Sequence, residues 1–141
     1  MPLKTTLPSD VERRLSTLGA ELAAACQDIE FAYLFGSVSS GRTTDRSDID
    51  LAIYVSESAD AQLARLETSR VAAGHLGTDA IDIVLLNTAP IALAGRVLTS
   101  RRVLVDRRPF LRHRYESLTA RLFQDFRIRE HRLLAARYAR G

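Results

Sequence analysis

Two short stretches constrain this chain more than any others: Leu34-Phe35-Gly36-Ser37 and Ser47-Asp48-Ile49-Asp50-Leu51-Ala52, with ten residues between Ser37 and Asp48. The first reads as a strand running into a Gly-Ser turn. The second reads as a strand opening with Asp-x-Asp. Residues two apart on a strand share a face, so Asp48 and Asp50 point the same way. Carboxylates that close repel each other, and burying them ionised is costly unless a cation or an arginine compensates. Glycine before the loop lets the backbone approach a ligand closely and take an unusual dihedral.

The rest of the chain supplies a frame for these residues. Ser9 and Glu12 have capping-box spacing, and Val11, Leu15, Leu18, Leu22 and Ala25 recur at helical period, which predicts a helix to about Cys26. A first strand follows over 29–35, with Ile29, Phe31, Tyr33 and Phe35 on one face. Residues 36–46 form a polar loop with room for one helical turn, and 49–55 a second strand. A second helix is expected over 59–73, with Leu63, Leu66, Arg70 and Ala73 near one stripe and Gly74 and Gly77 ending it. Residues 80–86 are apolar on both faces apart from Asp82, as a central buried strand would be. A third helix opens at Thr88-Ala89-Pro90, and 103–105 make a short fourth strand. From Pro109 one long helix carries the stripe Leu111, Tyr115, Leu118, Leu122 and Phe126, continued by Leu133, Leu134 and Tyr138. The order predicts an α/β (α+β) fold, a small mixed sheet flanked by helices. It is expected to be one domain over 1–141, with its core at about 10–106 and a basic C-terminal helix at about 109–139.

Asp82 is the third piece. It is the only charge in its strand, which should pair beside the second. Pointing into the same cluster, it would ligate a metal and accept a proton from an attacking hydroxyl. Mg²⁺ is held by one or two carboxylates, waters and substrate phosphates, and two such ions can clamp an in-line phosphoryl displacement. Ser37 and the amides after it can grip triphosphate oxygens, with Arg42 and Arg46 as nearby cations. Each piece alone has a plain structural explanation: a turn, a cap, a carboxylate bonded to backbone. Together they favour catalysis.

With Ile81-Asp82-Ile83-Val84-Leu85-Leu86-Asn87 and Ala89-Pro90, these motifs resemble the DNA-polymerase-beta-like nucleotidyltransferase superfamily. Within it they resemble the minimal nucleotidyltransferase (MNT) antitoxins, over residues from about 10 to 125. The resemblance implies a polymerase-beta-like fold and an antitoxin that moves AMP from ATP to a tyrosine of a HEPN-domain ribonuclease toxin. It makes Asp48, Asp50 and Asp82 the catalytic and Mg²⁺-binding residues, and Gly36 and Ser37 the triphosphate pair, with Arg42 beside them. One departure is Ser100-Arg101-Arg102, where the family often has a glycine before the last strand; it bears on the turn more than on the site.

Charge is uneven. Residues 1–100 hold 8 Lys+Arg against 13 Asp+Glu, whereas 101–141 hold 12 Arg against 4 Asp+Glu. The arginines suit an acidic or mixed-charge protein partner, and self-association through the last helix is a second option. No interleaving of aromatic and basic residues points to nucleic acid as the main partner. No apolar run reaches membrane-span length and no secretory signal precedes the first helix, so a cytoplasmic protein with a buried, unpaired Cys26 is expected. The open alternatives are an antitoxin that acts by binding alone and a small-molecule nucleotidyltransferase of the aminoglycoside type. Little chain beyond one helix remains to build an acceptor site, which favours an acceptor carried by another protein.

Overall fold

In the computed structural model, residues 7–39, 41 and 48–139 are described. The elements run α1 (Val11–Ala25), β1 (Ile29–Phe35), α2 (Gly36–Ser39), β2 (Ile49–Val55), α3 (Ala61–Leu76), β3 (Ile81–Leu85), α4 (Ile91–Thr99), β4 (Arg102–Asp106) and α5 (Pro109–Ala139). The strands form one mixed sheet in the order β3-β2-β1-β4. β1 is antiparallel to both β2 and β4, while β2 and β3 are parallel, joined across α3. The expected α/β class and element order hold.

Helices cover both faces of the sheet. On one face Leu15, Leu18 and Leu22 of α1 meet Ala64, Ala72 and Leu76 of α3 and Leu34, Leu51 and Ile53 of the strands. Each buried leucine of this kind is worth about 1.5–3 kcal/mol. On the other face Phe31, Tyr33 and Ala52 pack under Val97, Leu111 and Tyr115. Phe31 stacks on Tyr54 with ring centroids 4.9 Å apart, and Tyr115 closes edge-on over Tyr54. The fully buried Tyr33 donates its hydroxyl to Glu116 at 2.8 Å, which anchors α5 to the sheet. α5 comes down closely on α4 because Gly95 has no side chain; a Cβ there would run into the ring of Phe123. At the far end of the sheet the Asn87 amide pairs with both the N–H and the carbonyl of Val55, each at 2.9 Å, in place of a strand residue.

Several expectations need correction. The strand at 81–85 is an edge strand, not a central one: it pairs with β2 alone. Ile83 and Leu85 pack on the α1 and α3 side and Val84 on the aromatic cluster of the other face, so the sequence looks doubly buried although one edge is open. On β1, Ile29 does not share a face with Phe31, Tyr33 and Phe35. The register shifts between Ile29 and Phe31, so Ile29 turns to the α1 side while the aromatics stay together. The stripe on α3 is displaced as well. Ala64, Thr68, Ala72 and Leu76 face the core, whereas Leu63 and Leu66 are 61% and 68% exposed. Small side chains win there because α3 packs closely against α1, and the Thr68 hydroxyl is satisfied by the Ala64 carbonyl at 2.7 Å. Gly74 lies inside α3; Gly77, at φ 73, ends it.

The capping box at Ser9 and Glu12 does not form. Asp10 stands at the cap, and its carboxylate takes the Arg14 guanidinium at 3.0 Å instead of a backbone N–H. Arg14 is held there by a second bond, to the Leu76 carbonyl at 3.0 Å. On α5 the packed side runs through Leu111, Tyr115, Thr119, Phe123 and Phe126: Leu111, Tyr115 and Phe126 are as expected, while Thr119 and Phe123 stand where Leu118 and Leu122 were expected. Leu118 and Leu122 are exposed, and so are Leu133, Leu134 and Tyr138 further along. Tyr138, at 80% exposure, is not a packing residue. Cys26 is buried as expected, although it caps α1 rather than lying within it, and burial pushes its thiol up. No helix among the described residues is long and apolar enough to cross a membrane.

Candidate active site

The sheet register brings the expected site residues to one end. Phe35, the last residue of β1, lies opposite Asp50 of β2, and Asp50 lies opposite Asp82 of β3. In-register partners carry their side chains on the same face, so Asp50 and Asp82 are neighbours. Asp48 precedes β2 at its exposed start. The half-buried Asp50 is the electrostatic centre of the three. Burial, then the charges of Asp82 and Asp48, hold its carboxyl above the usual carboxylate range. Among the described residues no three metal-ligating side chains already converge on one point, so the three carboxylates are close neighbours rather than a finished cage.

Gly36 closes the site from the β1 side. Its φ of +77 is the left-handed conformation that L side chains rarely adopt, and a Cβ would collide with the Asp50 carboxylate. The chain therefore passes directly over Asp50 and presents Ser37, which is exposed, beside it. Two independent observations thus fit a divalent cation here. A carboxylate is held under repulsion that a cation would relieve, and a backbone cradle is closed to any larger side chain. Arg42, expected beside the phosphates, lies outside the described residues, as do Arg46 and Ser47.

A larger opening adjoins Gly36 and Ser37. It is a cleft of about 880 Å³ whose far wall is the turn from α4 into β4, with Thr99, Ser100, Arg101 and Arg102 on it. The Gly36 N–H donates to the Ser100 hydroxyl at 3.0 Å, so this turn holds the glycine in place. Sequence reasoning assigned Ser100-Arg101-Arg102 to the turn more than to the site. That was wrong, because antiparallel pairing of β4 with β1 sets Arg102 opposite Leu34, two residues before Gly36. The signal was present in the order of the strands: any strand antiparallel to β1 and beside it must begin where β1 ends. On the opposite edge Asp82 borders a smaller cleft, of about 430 Å³, shared with Gln62, Arg65 and Leu66 of α3.

The three histidines take no part in the site. His75 bonds Thr17 at 2.8 Å, tying α3 to α1, and His113 and His131 are exposed.

Comparison with known proteins agrees with this fold. The family model described as polymerase beta, nucleotidyltransferase matches residues 20–110, well over half of the chain. Among curated proteins, the protein adenylyltransferase MntA of Shewanella oneidensis is 36% identical over 76 residues, 54% of this chain. That alignment spans 53% of the relative, so the chain matches about half its length. Among solved structures, a toxin–antitoxin with AMP-PNP superposes with a TM-score of 0.68 at 26% identity, covering 89% of this chain and 96% of that one. The MNT antitoxin complex with a tri-AMPylated Shewanella oneidensis HEPN toxin gives 0.65 at 22% identity, covering 89% and 97%, a likeness of fold.

Proposed function

Because this chain belongs to the polymerase beta nucleotidyltransferase family, we propose that it is an antitoxin that transfers AMP from ATP to a tyrosine of a partner HEPN-domain ribonuclease toxin. The observation that carries the reading is the row Gly36, Asp50, Asp82 at one end of the sheet, with the Asp50 carboxyl raised by burial and then by its two acidic neighbours. The adenylyltransferase relative and the toxin–antitoxin structure with a bound ATP analogue support it.

Asp48, Asp50 and Asp82 would hold Mg²⁺, two ions in the reading preferred here. When bound, the metal would offset the carboxylate repulsion and the charge on the reacting phosphate. The chain's own residues do the rest. Asp82, on the exposed β3 edge, takes the proton of the incoming tyrosine hydroxyl. The phenolic oxygen forms its bond to the α-phosphorus, and the bond from that phosphorus to the bridging oxygen breaks. Pyrophosphate leaves with the electron pair. Ser37 and the backbone carried by Gly36 grip the triphosphate, with Arg42 adding positive charge. The work belongs in the cytoplasm, where ATP and an intracellular toxin meet.

The test pairs this protein with a HEPN-domain ribonuclease toxin, the partner the reading requires. Incubated together with ATP and Mg²⁺, the two proteins should yield toxin heavier by whole AMP units. An unchanged toxin mass, under conditions where the two proteins bind each other, overturns the reading.

A further inference from the structure

Three arginines line the large cleft beside Gly36 and Ser37: Arg101, Arg102 and Arg112. Two are already committed. Arg101 pairs with Glu116 at 2.9 Å and donates to the Leu98 carbonyl at 2.7 Å. Arg112 pairs with Asp106 at 3.0 Å and with Glu116 at 3.2 Å. Arg102 is exposed, and its side chain has no hydrogen bond or ion pair with any described residue. Ser39 lines the same cleft and adds a hydroxyl, whereas the Thr99 hydroxyl there donates to the Arg96 carbonyl at 2.7 Å. Ser100 is there too; accepting from Gly36 uses a lone pair and not its own proton.

The order of strands gives this cation a direction. Across the end of the sheet, from β3 to β4, the backbone positions run Asp82, Asp50, Gly36 and Ser37, then Arg102; Arg102 pairs with Leu34, which faces α1, so it borders the cleft of Ser37 and Ser39 from round the end of the strand. An in-line displacement sets the attacking oxygen, the phosphorus and the leaving oxygen on one line. With the proton-accepting carboxylate on the β3 edge, the leaving group has to run toward the β4 edge. A guanidinium fork matches phosphate oxygens in two parallel bonds, which a carboxylate-lined wall cannot offer.

We propose that Arg102 grips the β- and γ-phosphates of the nucleotide and stabilises the departing pyrophosphate, on the far side of the reacting phosphorus from Asp82. This rests on the nucleotidyl-transfer reading above and adds to it a residue outside the Gly-Ser and Asp-x-Asp motifs.

The experiment is calorimetric titration of ATP and of AMP, with Mg²⁺, into the wild-type protein and into Arg102→Ala, Arg102→Lys and Arg121→Ala. Arg121 is an exposed arginine of α5 that serves as control. Loss of a charge-assisted bond predicts ATP affinity about 10- to 100-fold lower in Arg102→Ala, AMP affinity unchanged, and partial recovery in Arg102→Lys. The melting temperature should stay where it is in all three variants. Equal ATP affinity in Arg102→Ala and wild type overturns the proposal, and so does a matching loss for AMP, which would mean general damage. A wild-type protein that binds no ATP would instead remove the nucleotidyl-transfer reading, and this proposal with it.

Discussion

At the end of the sheet where β1 stops, the two edges carry opposite charge. The β3 edge presents Asp82 beside Asp50, and the β4 edge presents Arg101 and Arg102. The carboxylate edge is built under burial and repulsion, with Asp50 held protonated to higher pH than an ordinary aspartate. The arginine edge is built under attraction, with Glu116 collecting Arg101, Arg112 and the Tyr33 hydroxyl. The repelling edge is suited to receiving a cation. The attracting edge is already neutralised, save for one guanidinium. A single polarity thus runs across four strands, and Gly36 lies over its middle.

The most severe way to break this polarity is to remove the repulsion. Asp48→Asn with Asp50→Asn should reduce AMP transfer by about 1000-fold or more, below detection by mass spectrometry. The same change should raise the melting temperature of the metal-free protein at neutral pH. The sign follows from linkage. A carboxyl raised above its unfolded value of 3.8 helps stability fully below that pH and loses the benefit as pH rises through the raised value. The gain from the Asn variant should therefore be greatest at pH 7 and vanish as pH falls below about 3.8, which melting curves across that range would check. A metal-free variant no more stable than wild type at pH 7 would mean the repulsion is negligible.

A smaller effect separates the two edges. Asp82→Asn should lower the transfer rate by about 100-fold or more, the range of general-base catalysis, with a much smaller loss of ATP affinity from the missing metal ligand. If Asp82→Asn weakened ATP binding as much as the rate, the carboxylate would serve the nucleotide rather than the acceptor, and the polarity would be lost.

The smallest effect falls on stability. Glu116 is only 11% exposed in its side chain and faces two arginines and a buried phenol. Glu116→Ala should cost about 3 kcal/mol in urea unfolding, because it strands those partners. It should also free Arg101 toward the cleft, so ATP affinity should hold or increase. A fall in ATP affinity would show that the β4 edge depends on its shape more than on its free charge.

The row of carboxylates was legible in the sequence because each element of it is local. Asp48 and Asp50 are two residues apart, and Asp82 is the lone charge in its strand. The glycine at position 36 was legible for the same reason, since its conformation is fixed by its own backbone. Ser100 and Arg102 were hidden because the pairing of β4 with β1 brings them to the cleft beside Gly36, with Ser100 bonded to Gly36 across 64 residues of chain. The helix stripes failed differently. On α3 the period was right and the phase was wrong, since leucine promises more burial than alanine until a close neighbour demands the smaller side chain. On α5 the buried Thr119 marks the true phase, and a lone threonine gives no hydrophobic signal.

The parallel register of β2 and β3 has a consequence for how this site can vary. Asp50 and Asp82 are aligned by ladder bonds between main chains, which do not depend on which side chains are present. The connection through α3 can therefore lengthen, shorten or change composition without disturbing their spacing. One residue gained or lost inside either strand, by contrast, would turn a carboxylate to the opposite face. Divergent sequences are thus free to drift almost everywhere between the two aspartates, provided that the count within each strand is kept. The chemistry is inherited as a pattern of counting rather than as a run of conserved letters.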